Sequence, residues 1–275
     1  MEGTKNLPHT SAAAWRRLLR ALRIVLPALV VVLGIVSPPW SILDKAHLVG
    51  YGVCHQIPAR TFFFNNQPLP LCARCSGTYL GAVIGFIGLQ IMGRRRVGEL
   101  PPAGVLLVLA GFIALMGIDG LNSYLSFFPA APQLYQPANV LRLTTGLLNG
   151  LAISLIVYPV FNFTLWQRTE RRRSINKVWE LAFFLPAIGI VVFAMESGYD
   201  FLLYPLAILS TSGVLILLTM VNAMIVMILT RQESMASNWG QASLFILWGV
   251  AVSFLELAAM IVFRAFMTAQ WGLPF

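Results

Sequence analysis

The chain has 275 residues, of which 58% are hydrophobic and only 11% charged, against about 25% charged in soluble domains. That balance excludes a soluble globular protein. A net charge of +9 would suggest nucleic acid in a soluble chain, but here the cations gather between apolar runs, so membrane topology accounts for them and no nucleic-acid partner is expected.

Apolar runs of the length that crosses ~30 Å of hydrocarbon fall at 21–41, 75–92, 102–118, 143–166, 178–195, 201–229 and 242–263. They predict an all-α, polytopic membrane helix bundle of about seven spans in a lipid bilayer. Residues 1–20 read as a basic tail, the first dozen of them disordered. Residues 21–166 read as a four-helix membrane region with a Cys/His loop at 44–76. A basic loop at 167–177 leads to three further membrane helices in 178–275.

WRRLLRALR opens the first run, and GRRRVGELP and QRTERRRSINK follow the second and fourth. Of 19 Lys and Arg, only Lys45, Arg60, Arg74, Arg142 and Arg264 fall on the other side of the alternation. The positive-inside rule therefore predicts a cytoplasmic N-terminus and an external C-terminus. Trp15, Trp40, Trp166, Trp179, Trp239 and Trp271 sit near span ends, where amphipathic rings prefer the interface. Pro27, Pro38 and Pro39 predict a kinked or early-ending first helix. It stays as an anchor, because SPPWSILDKAHLVG offers no small-x-small cleavage site.

CHQIPARTFFFNNQPLPLCARCSGTYLG, residues 54–81, holds all three cysteines. Arg94–Arg96 mark the cytoplasmic end of the second span, and Arg74 lies one span length back, so CARC opens that helix at the outer surface. A thiolate there is stabilised by free backbone N–H groups and the helix dipole. TFFFNNQPLPL reads as two extended arms around a turn at Asn65–Asn66, returning Cys72 toward Cys54. Phe62, Phe63 and Phe64 are expected to dip into the interface as a hydrophobic foot. Gly77, Gly81 and Gly85, and later Gly146 and Gly150, make smooth stripes for close helix approach.

Cys72 and Cys75 have the C-x-x-C spacing that presents two thiolates to one ion, and Cys54 precedes them by a knuckle-like interval. With His55 they form a Cys3His set favouring Zn2+. Neighbouring side chains on an extended strand point to opposite faces, so His55 joins only across a turn; water, His47 or Asp119 are the alternatives. A structural or a water-activating site both fit. A second class is thiol–disulfide chemistry resembling quinone-linked membrane enzymes, although those need two cysteine pairs. A third is a scaffold stapled by Cys72–Cys75 or Cys54–Cys72, serving partner subunits of a membrane complex.

The remaining polar residues have paired readings. Asp119 and Arg142 are a site acid and a substrate-binding cation, or an ion pair between two helix ends. Glu256, about two turns inside the outer end of the seventh span, is a proton carrier or ligand, or reaches interfacial water. Arg60 and Arg74 stabilise thiolates or an anionic head group, or anchor the loop to lipid phosphates. Glu196 and Asp200 fall in an outer loop, and Glu180 reads as a solvated partner of the basic loops.

CHQIPARTFF…LPLCARCSGTYLG, followed by DG at 119–120 and NVLRLTTGLLNG at 139–150, resembles the predicted membrane protein family called domain of unknown function 2085. Thr61 and Ser76 depart from its usual Ser and Thr and keep a hydroxyl. The resemblance implies residence in a prokaryotic cell membrane and supplies no activity.

Overall fold

The computed structural model describes residues 9–128 and 132–271, with side chains from 21 to 270. Helix α1 runs His9–Val36, so of the first dozen residues, expected to be disordered, 9–12 are helical and 1–8 lie outside the described residues. Prolines 38 and 39 stop α1, because they donate no N–H and disfavour helix at the preceding residue. A short helix absent from the sequence reading follows, α2 (Ile42–Val53), with Asp44 in its first turn and Ala46, Gly50 and Gly52 buried. The expected loop at 44–76 therefore begins only at Cys54.

The remaining helices fall where the apolar runs predict them: α3 (Ala73–Ile91), α4 (Ala103–Leu125), α5 (Asn139–Leu165), α6 (Leu185–Ser197), α7 (Leu203–Leu229) and α8 (Trp239–Trp271). Before α6, Val178–Phe184 wind as a tighter 3-10 turn; Pro186 then suits the first turn of an α-helix, where no N–H is needed. Five segments are long and apolar enough to cross a membrane: Ala103–Leu125, Asn139–Leu165, Val178–Ser197, Asp200–Leu229 and Trp239–Gln270. The apolar part of α1, Ala21–Val36, is shorter, and α3 carries Arg74 and lies at the centre of the bundle. Leu107, Ile190, Phe193 and Val262 face outward and are exposed, as lipid-facing side chains are.

Helices α3 and α5 form the axis. A Cβ added at Gly77 would run into the Leu143 carbonyl, and one at Gly146 into the Arg74 carbonyl. The two backbones touch only because neither position has a side chain, which is how small residues serve helix contacts in lipid. Leu143, Leu147, Leu151 and Leu155 fill the rest of this seam.

The Arg-rich segments meet at one end. Strand β3 (Val97–Glu99) pairs in parallel with β4 (Glu170–Arg173), and Trp166 bridges Ala236. Glu180, expected in solvent, is buried and paired with buried Arg94. Trp166, expected at the interface, is also buried, with Arg96 stacked 4.1 Å above its ring. Trp40, Trp179 and Trp239 are exposed; the side chains of Trp15 and Trp271 lie outside the described residues. The cysteines occupy the opposite end.

Candidate metal centre

Cys54 caps the C-terminus of α2 in an extended conformation, its N–H bound to the Gly50 carbonyl. Two residues on, Gln56 adopts φ 52 and turns the chain. Its side-chain amide donates to the His47 and Pro70 carbonyls, at 3.0 and 2.8 Å, tying the outgoing arm to the returning one. Strands β1 (Phe63–Phe64) and β2 (Gln67–Pro68) pair around Asn65 and Asn66, both with positive φ, as a two-residue hairpin turn requires. Phe64, Leu69 and Leu71 are buried and pin this hairpin, so the expected aromatic foot reduces to exposed Phe63. The returning arm ends at Cys72, the N-cap of α3, and Cys75 lies in the first helical turn.

The Sγ atoms of Cys54, Cys72 and Cys75 all lie within 4.8 Å of one another. Backbone N–H groups of Cys72 and Gln56 donate to Cys54 Sγ at 3.3 and 3.5 Å. Cys72 is held well below the ordinary thiol value, first by hydrogen bonds from Cys54 and Cys75 and then by the N–H groups of Cys75 and Arg74, which outweigh its burial. Cys54 shifts upward, chiefly because its proton is bound to Cys72. The three sulfurs thus form one hydrogen-bonded group at the start of α3.

A cavity of about 520 Å³ opens beside them; His55, Arg60, Arg74, Arg142, Tyr124 and Phe127 share its wall with the cysteines. His55 is exposed and outside the three-sulfur group, as the alternation of neighbouring side chains dictates. His47 is half-buried and bonds the Pro68 carbonyl instead, its value lowered by burial against the pull of Asp44.

Asp119 does not pair with Arg142. Its carboxylate, 1% exposed, takes the guanidinium of Arg74 on Oδ2 and the Tyr135 hydroxyl on Oδ1 at 2.8 Å. Arg142 Nε instead donates to Ser123 Oγ at 3.3 Å and Nη1 to Asn139 at 2.8 Å. The helix α3–α5 contact sets this choice, since it carries Arg74 across to the end of α4.

A family profile described as "Predicted membrane protein (DUF2085)" matches residues 54–156. An uncharacterized protein of Methanothermobacter thermautotrophicus is 31% identical over 104 residues, which is 38% of this chain and 83% of that protein. The chain belongs to the DUF2085 family. An uncharacterized protein of Methanocaldococcus jannaschii is 27% identical over 130 residues, covering 47% of this chain and 77% of the relative. No solved structure matches.

The DUF2085 segment contains every residue that lines the sulfur cluster's cavity except Val53. Two features outside it bear on the site. Arg264 of α8 donates to the carbonyls of Tyr51 at 2.6 Å and of Cys54 and His55, and stacks 4.1 Å from the Tyr51 ring. It fastens the last helix to the end of α2 that carries Cys54, and its only sequence signal is its place among the five outer cations. Glu256 lies about midway along α8, deeper than two turns, exposed and bound by the Asn222 amide at 2.8 Å; it does not line the cavity.

Proposed function

We propose that this protein crosses a prokaryotic cell membrane seven times, N-terminus inside, and carries a zinc ion on Cys54, Cys72 and Cys75 at the extracytoplasmic face. The supporting observation is the convergence of three sulfurs within 4.8 Å of one another. Thiolates on one zinc at ~2.3 Å stand ~3.8 Å apart, so the cluster contracts by under an ångström per sulfur on binding. Backbone N–H groups aimed at Cys54 and Cys72 favour the deprotonated ligands that the metal needs. His55, on the wall of the same cavity, is the fourth ligand after a side-chain rotation; water takes the position otherwise. The ion's first role is structural, clamping the arm at Cys54 onto the start of α3.

Placement of the arginines supports the topology. Arg94–Arg96 and the loop at 167–177 share the end of the bundle opposite the sulfurs, as the positive-inside rule requires for cytoplasmic loops. Helices α1 and α3 complete the seven spans, α3 shielded from lipid by its neighbours.

The depressed Cys72 thiol one turn from Cys75 also suits thiol exchange, which is the competing reading. Metal analysis of detergent-purified protein separates them. The zinc reading expects one ion per chain, lost in Cys72→Ser. A metal-free preparation that stays folded, with a Cys72–Cys75 bond that quinone re-forms after reduction, supports exchange instead.

A further inference from the structure

Three guanidinium groups converge on one residue beside the sulfurs. Ser123, fully buried, accepts Arg74 Nη2 at 3.0 Å and Arg142 Nε at 3.3 Å on its hydroxyl, and Arg60 Nη2 at 2.7 Å on its carbonyl. Asp119 is committed to Arg74. Among the described residues, neither Arg60 nor Arg142 has a carboxylate within ion-pair distance. Arg142 is only 6% exposed, and its guanidinium meets the neutral oxygens of Ser123 and Asn139 rather than a carboxylate, a costly state for a buried cation.

Outside the sulfurs, Arg60, Arg74 and Arg142 bring three positive charges to this end and Asp119 one negative charge, so two guanidiniums with no carboxylate paired to them among the described residues line the cavity. Its size, about 520 Å³, is that of a small-molecule site. Aromatic rings adjoin the cations in its wall: Phe127 lies under Arg60, 4.1 Å from guanidinium to ring centre, and Tyr124 lines the same cavity.

We propose that this cavity binds a phosphate-type oxyanion between Arg60 and Arg142, with Tyr124 and Phe127 against the organic group attached to it. Two separate guanidiniums suit a tetrahedral phosphate, whose free oxygens point in different directions, better than a carboxylate, whose two oxygens one arginine satisfies. The inference stands whether or not the sulfurs hold metal. The phosphate belongs either to a lipid head group, a diester with two free oxygens, or to a soluble monoester with three, and either offers one oxygen to each arginine.

Two arms of one experiment distinguish the sources. Full-length protein in neutral detergent at low salt is titrated with radiolabelled orthophosphate. In parallel, protein released from phosphatidylglycerol bilayers is weighed by native mass spectrometry for retained lipid. Saturable phosphate binding near one per chain supports a soluble source, and one retained phosphatidylglycerol supports a lipid source. In the arm that binds, Arg60→Gln and Arg142→Gln should each weaken binding at least ~10-fold, the usual weight of a charge-assisted contact. Half-exposed Arg60 keeps the test open should the buried Arg142 variant misfold. No binding by the wild-type protein in either arm, or full binding by folded Arg60→Gln, overturns the proposal.

Discussion

Replacing Asp119 by Asn isolates the electrostatics of this end of the bundle. The substitution keeps the shape and an acceptor for Tyr135 but removes the only carboxylate bonded to Arg74 among the described residues. Asp119 is 1% exposed and the Arg74 side chain 18%, so this is a buried pair with one partner slightly hydrated. Breaking such a pair costs about 3–5 kcal/mol, and the residual hydration of Arg74 places this case near 3. Three guanidiniums would then crowd Ser123 with no carboxylate among them. Unfolding in mixed micelles titrated with dodecyl sulfate, followed by helical circular dichroism, measures the loss. The Arg74→Gln, Asp119→Asn double variant should be less damaged than the two single losses together by about 1–3 kcal/mol, the coupling of contacting residues. An Asp119→Asn protein within about 0.5 kcal/mol of wild type, the range of an inconsequential surface change, or strict additivity, refutes this account of the pair.

Other outcomes follow from the same geometry. Gly146→Ile inserts a side chain where the Arg74 carbonyl lies, so it should separate α3 from α5 and abolish both folding yield and metal content. Arg264→Gln frees the C-terminal end of α2 at Tyr51–His55 and should speed maleimide labelling of Cys54 in chelator-treated protein about tenfold, the weight of one charged hydrogen bond; an unchanged rate removes Arg264 from the site. His47 has a lowered value through burial, so the unfolded chain binds its proton more readily. Its contribution to stability is therefore complete above the unfolded value of 6.5 and declines as pH falls below it. His47→Gln should flatten the stability profile between pH 7 and 5, and a profile unchanged by the substitution contradicts this.

Much of the architecture is legible in the sequence because lipid imposes a length on each helix. The runs at 102–118, 143–166 and 201–229 became helices starting within a few residues of those limits. Asn65–Asn66 announced the hairpin through residues that tolerate positive φ, and the glycine stripes announced the α3–α5 contact. Helix α2 was not legible: twelve residues that include Asp44, Lys45 and His47 look like loop unless the groove that receives them is known. Placing Asp119, Arg74 and Arg142 at one end required only span counting. Which arginine takes the carboxylate depends on the rotation of α3 against α5, which no local pattern encodes. Arg264 reaches Cys54 across 210 positions of chain, a contact fixed only by how α8 docks.

X-ray absorption at the zinc edge of the purified full-length protein tests the central claim most directly. The account predicts three sulfur neighbours at ~2.3 Å and one nitrogen or oxygen neighbour at ~2.0 Å, with the sulfur shell reduced in Cys72→Ser. Zinc bound through nitrogen and oxygen alone, or folded protein without zinc, contradicts it.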